Sequence, residues 1–241
     1  MPVHKSGKHI SSEFQIELED VRSRVLAMGG LVEQQVKDAL EALITANGEL
    51  AEQVVRNDMR VNGMEVSIDE ECSQILARRQ PAAGDLRLVI SIIKTITDLE
   101  RIGDEAERIA RMARQLAGSD RLPNGLAEVE HLGKRAIDEL NDALDSFARL
   151  DPEAALDVAR QDLKVDREYE SLVRQCITFM MEDPRSVKRV LDVMWSAKAL
   201  ERVGDHAKNI SEYVIYLVKG KDVRHISLED MEEHVTGGPR G

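Results

Sequence analysis

The phrase LERIGDEAERIA, beginning at Leu99, returns as LERVGDHAKNIS, beginning at Leu200. No other feature constrains the chain as strongly, because a fold that suits one copy must suit the other. A shift of 104 positions lays Asp38–Leu40 on Asp142–Leu144, Arg56 on Arg160, Asp58 on Asp162, Val61 on Val165 and Cys72 on Cys176. Past the prolines the shift shortens to 101, which sets Leu99 on Leu200 and Ile109 on Ile210. A period near a hundred residues is that of a duplicated domain, not of a short-repeat solenoid.

Turn chemistry cuts each copy into three. ANGEL and PAAGD interrupt the first, LDPEA and EDPRS the second. Asn47, Asp151 and Asp183 sit where N-caps belong, with Pro152 and Pro184 at the first helical position that follows. Long runs of Ala, Leu, Glu, Lys, Arg and Val without strand-like alternation, only 6 Pro and 3% aromatic residues favour helices with slender aliphatic packing. The expected fold is all-α: two tandem pseudo-symmetric three-helix bundles with antiparallel, up-down helices, over residues 10–120 and 121–221. Short turns make consecutive helices neighbours. The breaker-rich GSDRLPNG, Gly118 to Gly125, reads as the link between bundles, and residues 222–241 read as a flexible C-terminal tail.

Charge and composition remove several function classes. A formal net charge of -12 repels a nucleic-acid backbone, and no basic helix offsets it. No apolar run approaches the ~20 residues that span a bilayer, and MPVHKSGKHI lacks the apolar region of a secretory signal, so a cytosolic chain is expected. The two cysteines, Cys72 and Cys176, lie in apolar helical patterns and read as reduced core thiols. There is no Gly-x-Ser-x-Gly elbow, no Gly-rich phosphate loop and no Cys beside a His base, so no catalytic residues are expected. His206 reads as an exposed surface histidine, and only His131, in EVEH, has the Glu-x-x-His spacing of which a di-iron centre needs two.

At 100° per residue, Ile92, Ile96, Leu99, Ile102, Ala106 and Ile109 share one face of the third helix, as do Val193, Leu200, Val203, Ala207, Ile210 and Val214 in its duplicate. Gly103 and Gly204 stand at the edges of these stripes, where a missing side chain lets a helix or ligand approach. Beside each stripe runs an acidic strip: Glu100, Asp104 and Glu107 in copy one, Glu201, Asp205 and Lys208 in copy two. Like charges one turn apart oppose helix formation, so the strips need arginine partners such as Arg101, Arg108 and Arg111, water, or a cation. The second helices carry Asp58, Asn62, Glu65 and Asp69, and Asp162, Asp166, Tyr169 and Glu170, along the line of the core. Acids on two helices of one bundle can converge on a hard cation through oxygen ligands; the other reading is a solvated flank with interhelical salt bridges. By count of acids the first copy is the better supplied.

PAAGDLRLVISIIKTITDLERIGDEAERIA and ALERVGDHAKNISEYVIYLVKG resemble the matching segments of the PhoU family, with both ER[IV]GD phrases and both DAL triplets in order between about Phe14 and Gly220. The resemblance implies paired three-helix bundles, usually dimeric, without enzymatic turnover. It implies a cytoplasmic negative regulator of the phosphate-starvation response, with the ATPase subunit of the phosphate ABC transporter and a sensor histidine kinase as partners, touching the membrane only through them. In some members Glu/Asp-x-x-x-Asp motifs bind metal. Matched residue by residue, these are Glu100 with Asp104, Glu201 with Asp205, and Asp162 with Asp166, to which Asp58 and Asn62 are the copy-one counterparts. No cofactor is required; divalent or iron-type ions on these surfaces are the expectation. Asn62 opposite Asp166 and Lys208 opposite Glu107 make the two metal loads unequal. The other classes consistent with the sequence are a carboxylate-rich metal store or metal-dependent enzyme, and a helical scaffold.

Overall fold

A computed structural model describes residues 6–117 and 125–237. The chain runs α1 Ser6–Thr45, α2 Gly48–Arg79, α3 Ala83–Ala117, α4 Gly125–Arg149, α5 Pro152–Glu182, a 3-10 turn Pro184–Ser186, α6 Val187–Lys219 and α7 Leu228–Thr236. No strand occurs among the described residues. The first three helices form one bundle and the next three its duplicate. Most of the expected link, 118–124, lies outside the described residues.

The two copies repeat down to their turns. Asn47 accepts from the amides of Glu49 and Leu50, and Asp151 from those of Glu153 and Ala154, all at 3.0–3.1 Å. The residue before each cap, Ala46 or Leu150, lies at φ 55° or 52°. The cap amide then bonds back to the carbonyl of Ala42 or Ser146 at 3.0 Å, which ends the preceding helix and starts the next within two residues. Asp183 caps the 3-10 turn through the Arg185 amide.

Every residue of the two expected third-helix stripes is buried, and Cys72 and Cys176 occupy equivalent buried places on α2 and α5. Sequence periodicity missed that α3 and α6 have a second buried face. They pack on each other as well as on their own bundles, burying Ser91, Thr95, Asp98 and Glu105 from α3 and Ser196, Ala199, His206 and Tyr213 from α6. Small side chains let these two helices approach.

The other inter-bundle contact, between α1 and α4, is reciprocal. A Cβ on Gly133 would lie 2.6 Å from Leu40 Cδ2, and one on Gly29 would lie 2.5 Å from Leu144 Cδ2. The shift of 104 exchanges both partners, so each first helix offers one glycine notch and one leucine knob to the other.

The expected tail is corrected over its described part. After Gly220 ends α6 at φ 72°, Val223 is fully buried. Ser227 then caps α7 by accepting from the Asp230 amide at 3.1 Å and donating to the Asp230 carboxylate at 3.0 Å. Met231 and Val235 pack down onto the second bundle, and Glu232 pairs with Arg160 of α5 at 2.7 Å.

Gly133→Val should lower stability by about 1–3 kcal/mol in chemical denaturation, the usual effect of overpacking. Adding Leu40→Ala should recover part of that loss, although Leu40→Ala alone is destabilising. Strict additivity of the two changes would refute the notch-and-knob contact.

Candidate functional site

The site begins at a glycine. Gly103 on α3 and Gly204 on α6 are buried, and each admits a polar side chain from the first helix of its bundle. A Cβ on Gly204 would stand 3.0 Å from Glu139 Oε2 of α4 and 3.4 Å from Val165. A Cβ on Gly103 would meet Asp58 Oδ1 and Val61 at 3.3 Å and Gln35 Oε1 of α1 at 3.6 Å. Gln35 and Glu139 are the same position of the repeat. Glu139 is fully buried, and no group bonds either of its carboxylate oxygens or either polar atom of Gln35.

Around the Gly204 gap the second copy gathers its acids. Asp162 and Asp166 on α5 and Asp205 on α6 bring carboxylate oxygens within 4.8 Å of one another. Asp162 is buried; it accepts from Lys208 Nζ at 2.7 Å through Oδ2, and its Oδ1 has no partner. Burial raises the Asp205 carboxyl to about 6, helped by Glu201, Asp162 and Asp166, against the pull of Lys198. Burial likewise raises Asp166, with Asp162 and Glu201 adding to it. Glu201 is drawn aside to the Lys198 ammonium. Glu139 feels this most: burial pushes its carboxyl up to about 9, with Asp162 reinforcing and Lys208 opposing.

The first copy is arranged differently. Asp58 is buried and accepts from Asn62 Nδ2 at 2.9 Å, leaving Oδ1 bare. Glu107 is tied to Arg111 at 2.7 Å, and Asp104 is exposed, as is its counterpart Asp205. Burial raises Glu100, helped by Asp104, Glu65 and Asp58, so the four acids sense one another. Among the described residues, however, only the second copy holds three or more carboxylate, thiolate or imidazole ligand atoms in one tight group. The count of acids does not predict this grouping: Gln35 and Asn62 stand in the first copy as neutral amides where the second has Glu139 and Asp166.

The donor set of the second site is all oxygen, which suits a hard divalent cation with flexible geometry. Two observations fit such an ion: the unpartnered Asp162 Oδ1 and the buried, unpartnered Glu139 aimed into the gap. The Lys208 ammonium already neutralises part of the cluster. Glu139 was not among the sequence candidates, although its signal is present as a lone acid on the buried face of Leu132, Ala136 and Ala143.

The histidines separate. His131 lies on the surface, with Nδ1 3.0 Å from Glu168, whose carboxylate also pairs with Arg135. His206 corrects the expectation of an exposed residue. It is buried, with Nδ1 2.7 Å from Asp98 Oδ1, and Asn209 and Tyr213 donate to the same carboxylate at 3.1 and 2.8 Å. Asp98 of α3 is thus held by three residues of α6. Nearby, Arg202 of α6 reaches the buried Glu105 of α3 at 2.7 Å.

Comparison with known proteins places this geometry. The PhoU domain matches residues 25–113 and again 129–214, the two bundles. The chain is 58% identical over 229 residues to the phosphate-specific transport system accessory protein PhoU homolog of Pseudomonas putida, covering 95% of this chain and 90% of that one. It is 47% identical over 231 residues to the Escherichia coli phosphate-specific transport system accessory protein PhoU, covering 96% and 95%. The crystal structure of PhoU from Pseudomonas aeruginosa aligns with a TM-score of 0.85 at 57% identity, over 86% of this chain and all of that one. The phosphate transport system regulatory protein PhoU from Streptococcus pneumoniae aligns at 0.81 and 31% identity, over 87% and 99%.

The raised Glu139 carboxyl makes a pH prediction. The folded chain keeps its proton up to about pH 9, whereas the unfolded chain releases it near 4.3. Between these values the folded state binds more protons, so this group makes stability fall as pH rises. Glu139→Gln, the residue type of the first copy, removes that slope. In chelator, urea unfolding should show the variant gaining on the parent progressively from pH 5 to pH 9; a pH-independent difference would refute the assignment.

Proposed function

The chain belongs to the PhoU family, and from that premise we propose that it is a non-catalytic accessory regulator of phosphate transport. It holds the phosphate-starvation response off when phosphate is plentiful, linking the ATPase subunit of a phosphate ABC transporter to a sensor histidine kinase. The observation that carries this reading is the likeness along nearly the whole chain to proteins named as accessories of phosphate-specific transport. The chemistry of the fold agrees with a binding role. His206 is committed to a buried carboxylate, and burial pushes the Cys72 thiol up to about 12 and raises that of Cys176, which suits inert core groups better than nucleophiles. Among the described residues no helix is long and apolar enough to cross a membrane. In this reading the regulator works in the cytoplasm as a homodimer and meets the membrane through its partners.

The same proposal gives the Asp162, Asp166 and Asp205 group a divalent cation, with Glu201 at its edge. Glu100, Asp104, Asp58 and Asn62 make a second, weaker site. The tight oxygen grouping supports the ranking. A cation there screens the mutual repulsion of the acids and competes with the Lys208 ammonium for Asp162.

Deleting the gene in phosphate-replete cells should switch the starvation response on; a response that stays silent would sink the regulatory reading. For the cation, titration calorimetry with manganese should give binding weakened roughly tenfold or more by Asp205→Asn and far less by Asp104→Asn. Equal effects of the two changes would contradict the ranking.

A further inference from the structure

The repeat offers an internal template for a missing contact. In the second bundle, α7 lies against α5 and the edge of α6. Leu228 and Met231 face Ala159 and Leu163 across a cleft of about 570 Å³, and Glu232 is anchored on Arg160. The equivalent positions in the first bundle are Val55 for Ala159, Met59 for Leu163 and Arg56 for Arg160. Among the described elements α2 packs only on α1 and α3, so nothing stands there as α7 stands on α5. Met59 is 76% exposed, against 42% for Leu163.

The uncovered strip is longer and more apolar than its template. Where α5 continues from Leu163 to the charged Arg167 and Glu170, α2 continues from Met59 to Gly63 and Val66. Val66 is 53% exposed, and a Cβ on Gly63 would meet nothing within 4 Å. An exposed mid-helix glycine costs about 1 kcal/mol relative to alanine, and here it leaves a shallow notch between two apolar side chains. Val55 to Val66 spans about 16 Å along the axis, enough for a helix of two to three turns.

The rim is rearranged rather than more basic. On the α3 side, Arg108 and Arg111 replace Asn209 and Glu212 while Glu105 and Glu107 replace His206 and Lys208, and Arg56 repeats Arg160. Each of these arginines has only a local partner, Glu105, Glu107 or Glu52, and keeps about half or more of its side chain exposed. The template helix is acidic, carrying Glu229, Asp230, Glu232 and Glu233 around Leu228, Met231 and Val235. An acidic helix would therefore find on the first bundle, at Arg56, the arginine that anchors α7 on the second, with Arg108 and Arg111 beside it.

We propose that the Val55–Met59–Gly63–Val66 strip of α2, with its arginine rim, docks a short acidic amphipathic helix of a partner protein in the manner in which α7 docks on α5. The partner presents apolar residues at i, i+3 and i+7, as α7 does. This goes beyond the regulatory reading and does not need it.

A labelled peptide spanning residues 222–237 serves as the probe, titrated into the full chain and followed by fluorescence anisotropy. Saturable binding is expected. Met59→Glu or Arg56→Glu should weaken it about tenfold or more, as loss of a central anchor does, and Arg160→Glu should leave it unchanged. All three positions lie on the surface, and circular dichroism checks that helix content is kept. Absence of binding overturns the proposal, as does binding lost in Arg160→Glu but kept in Met59→Glu. Sedimentation of the chain alone separates the remaining occupant: a dimer that Met59→Glu dissociates means that a second copy covers the strip, and the partner-helix proposal falls.

Discussion

A missing side chain on the third helix of each bundle decides what the rest of the bundle can contain. With alanine at 103 or 204, the new Cβ would crowd the neighbouring oxygen and valine methyl at 3.0–3.4 Å, and the polar side chain would have to give way. With glycine, Gln35 or Glu139 reaches the centre of three helices and lies beside the acids of the other two. Burying such groups without partners is costly. The protein accepts that cost twice at the same place, once as a neutral amide and once as a carboxyl held protonated. Unpaired polar groups at one register of both copies break a packing rule in the way that marks a candidate site.

The duplication explains the symmetry of the frame, and the buried polar groups explain its asymmetry. Gly29 with Leu144 and Gly133 with Leu40 are exchanged by the repeat and hold the first helices in a pseudo-twofold contact. Asp98 has no such counterpart, since Ala199 occupies its place in the second copy. Its carboxylate gathers His206, Asn209 and Tyr213, while Lys94, one turn away, lies 5.3 Å from the Tyr213 ring centroid. Hydrogen bonds onto a buried carboxylate are strong and directional, so this junction fixes how one bundle sits on the other. The copies differ on either side of this junction: the second has carboxylates in its centre and α7 on its flank, while the first has amides in its centre and, among the described elements, nothing on the matching flank of α2.

Much of this was legible in the sequence. The stripes of α3 and α6, the caps at Asn47, Asp151 and Asp183, and the equivalence of the two cysteines follow from local periodicity and turn chemistry, which need no knowledge of distant contacts. The acids of the family-like motif were found for the same reason. Glu139 and Gln35 were passed over because one polar residue hardly alters an amphipathic pattern, although their shared register was readable. The roles of Asp98 and His206 were not legible, because the partners are 108 residues apart in sequence and belong to different copies. Residues 222–237 were read as tail because α7 is only nine residues long, yet Ser227 and Asp230 spell a capping signal ahead of Met231 and Val235.

Anomalous diffraction from crystals of the chain soaked in manganese tests the central claim most directly, that the glycine gap of the second bundle gathers a cation site which the first bundle lacks in that strength. The account predicts its strongest peak enclosed by Asp162, Asp166 and Asp205 beside Gly204, with the Lys208 ammonium moved off Asp162. A strongest peak on Glu100 and Asp104, or none at saturating manganese with Lys208 still bonded to Asp162, would contradict it.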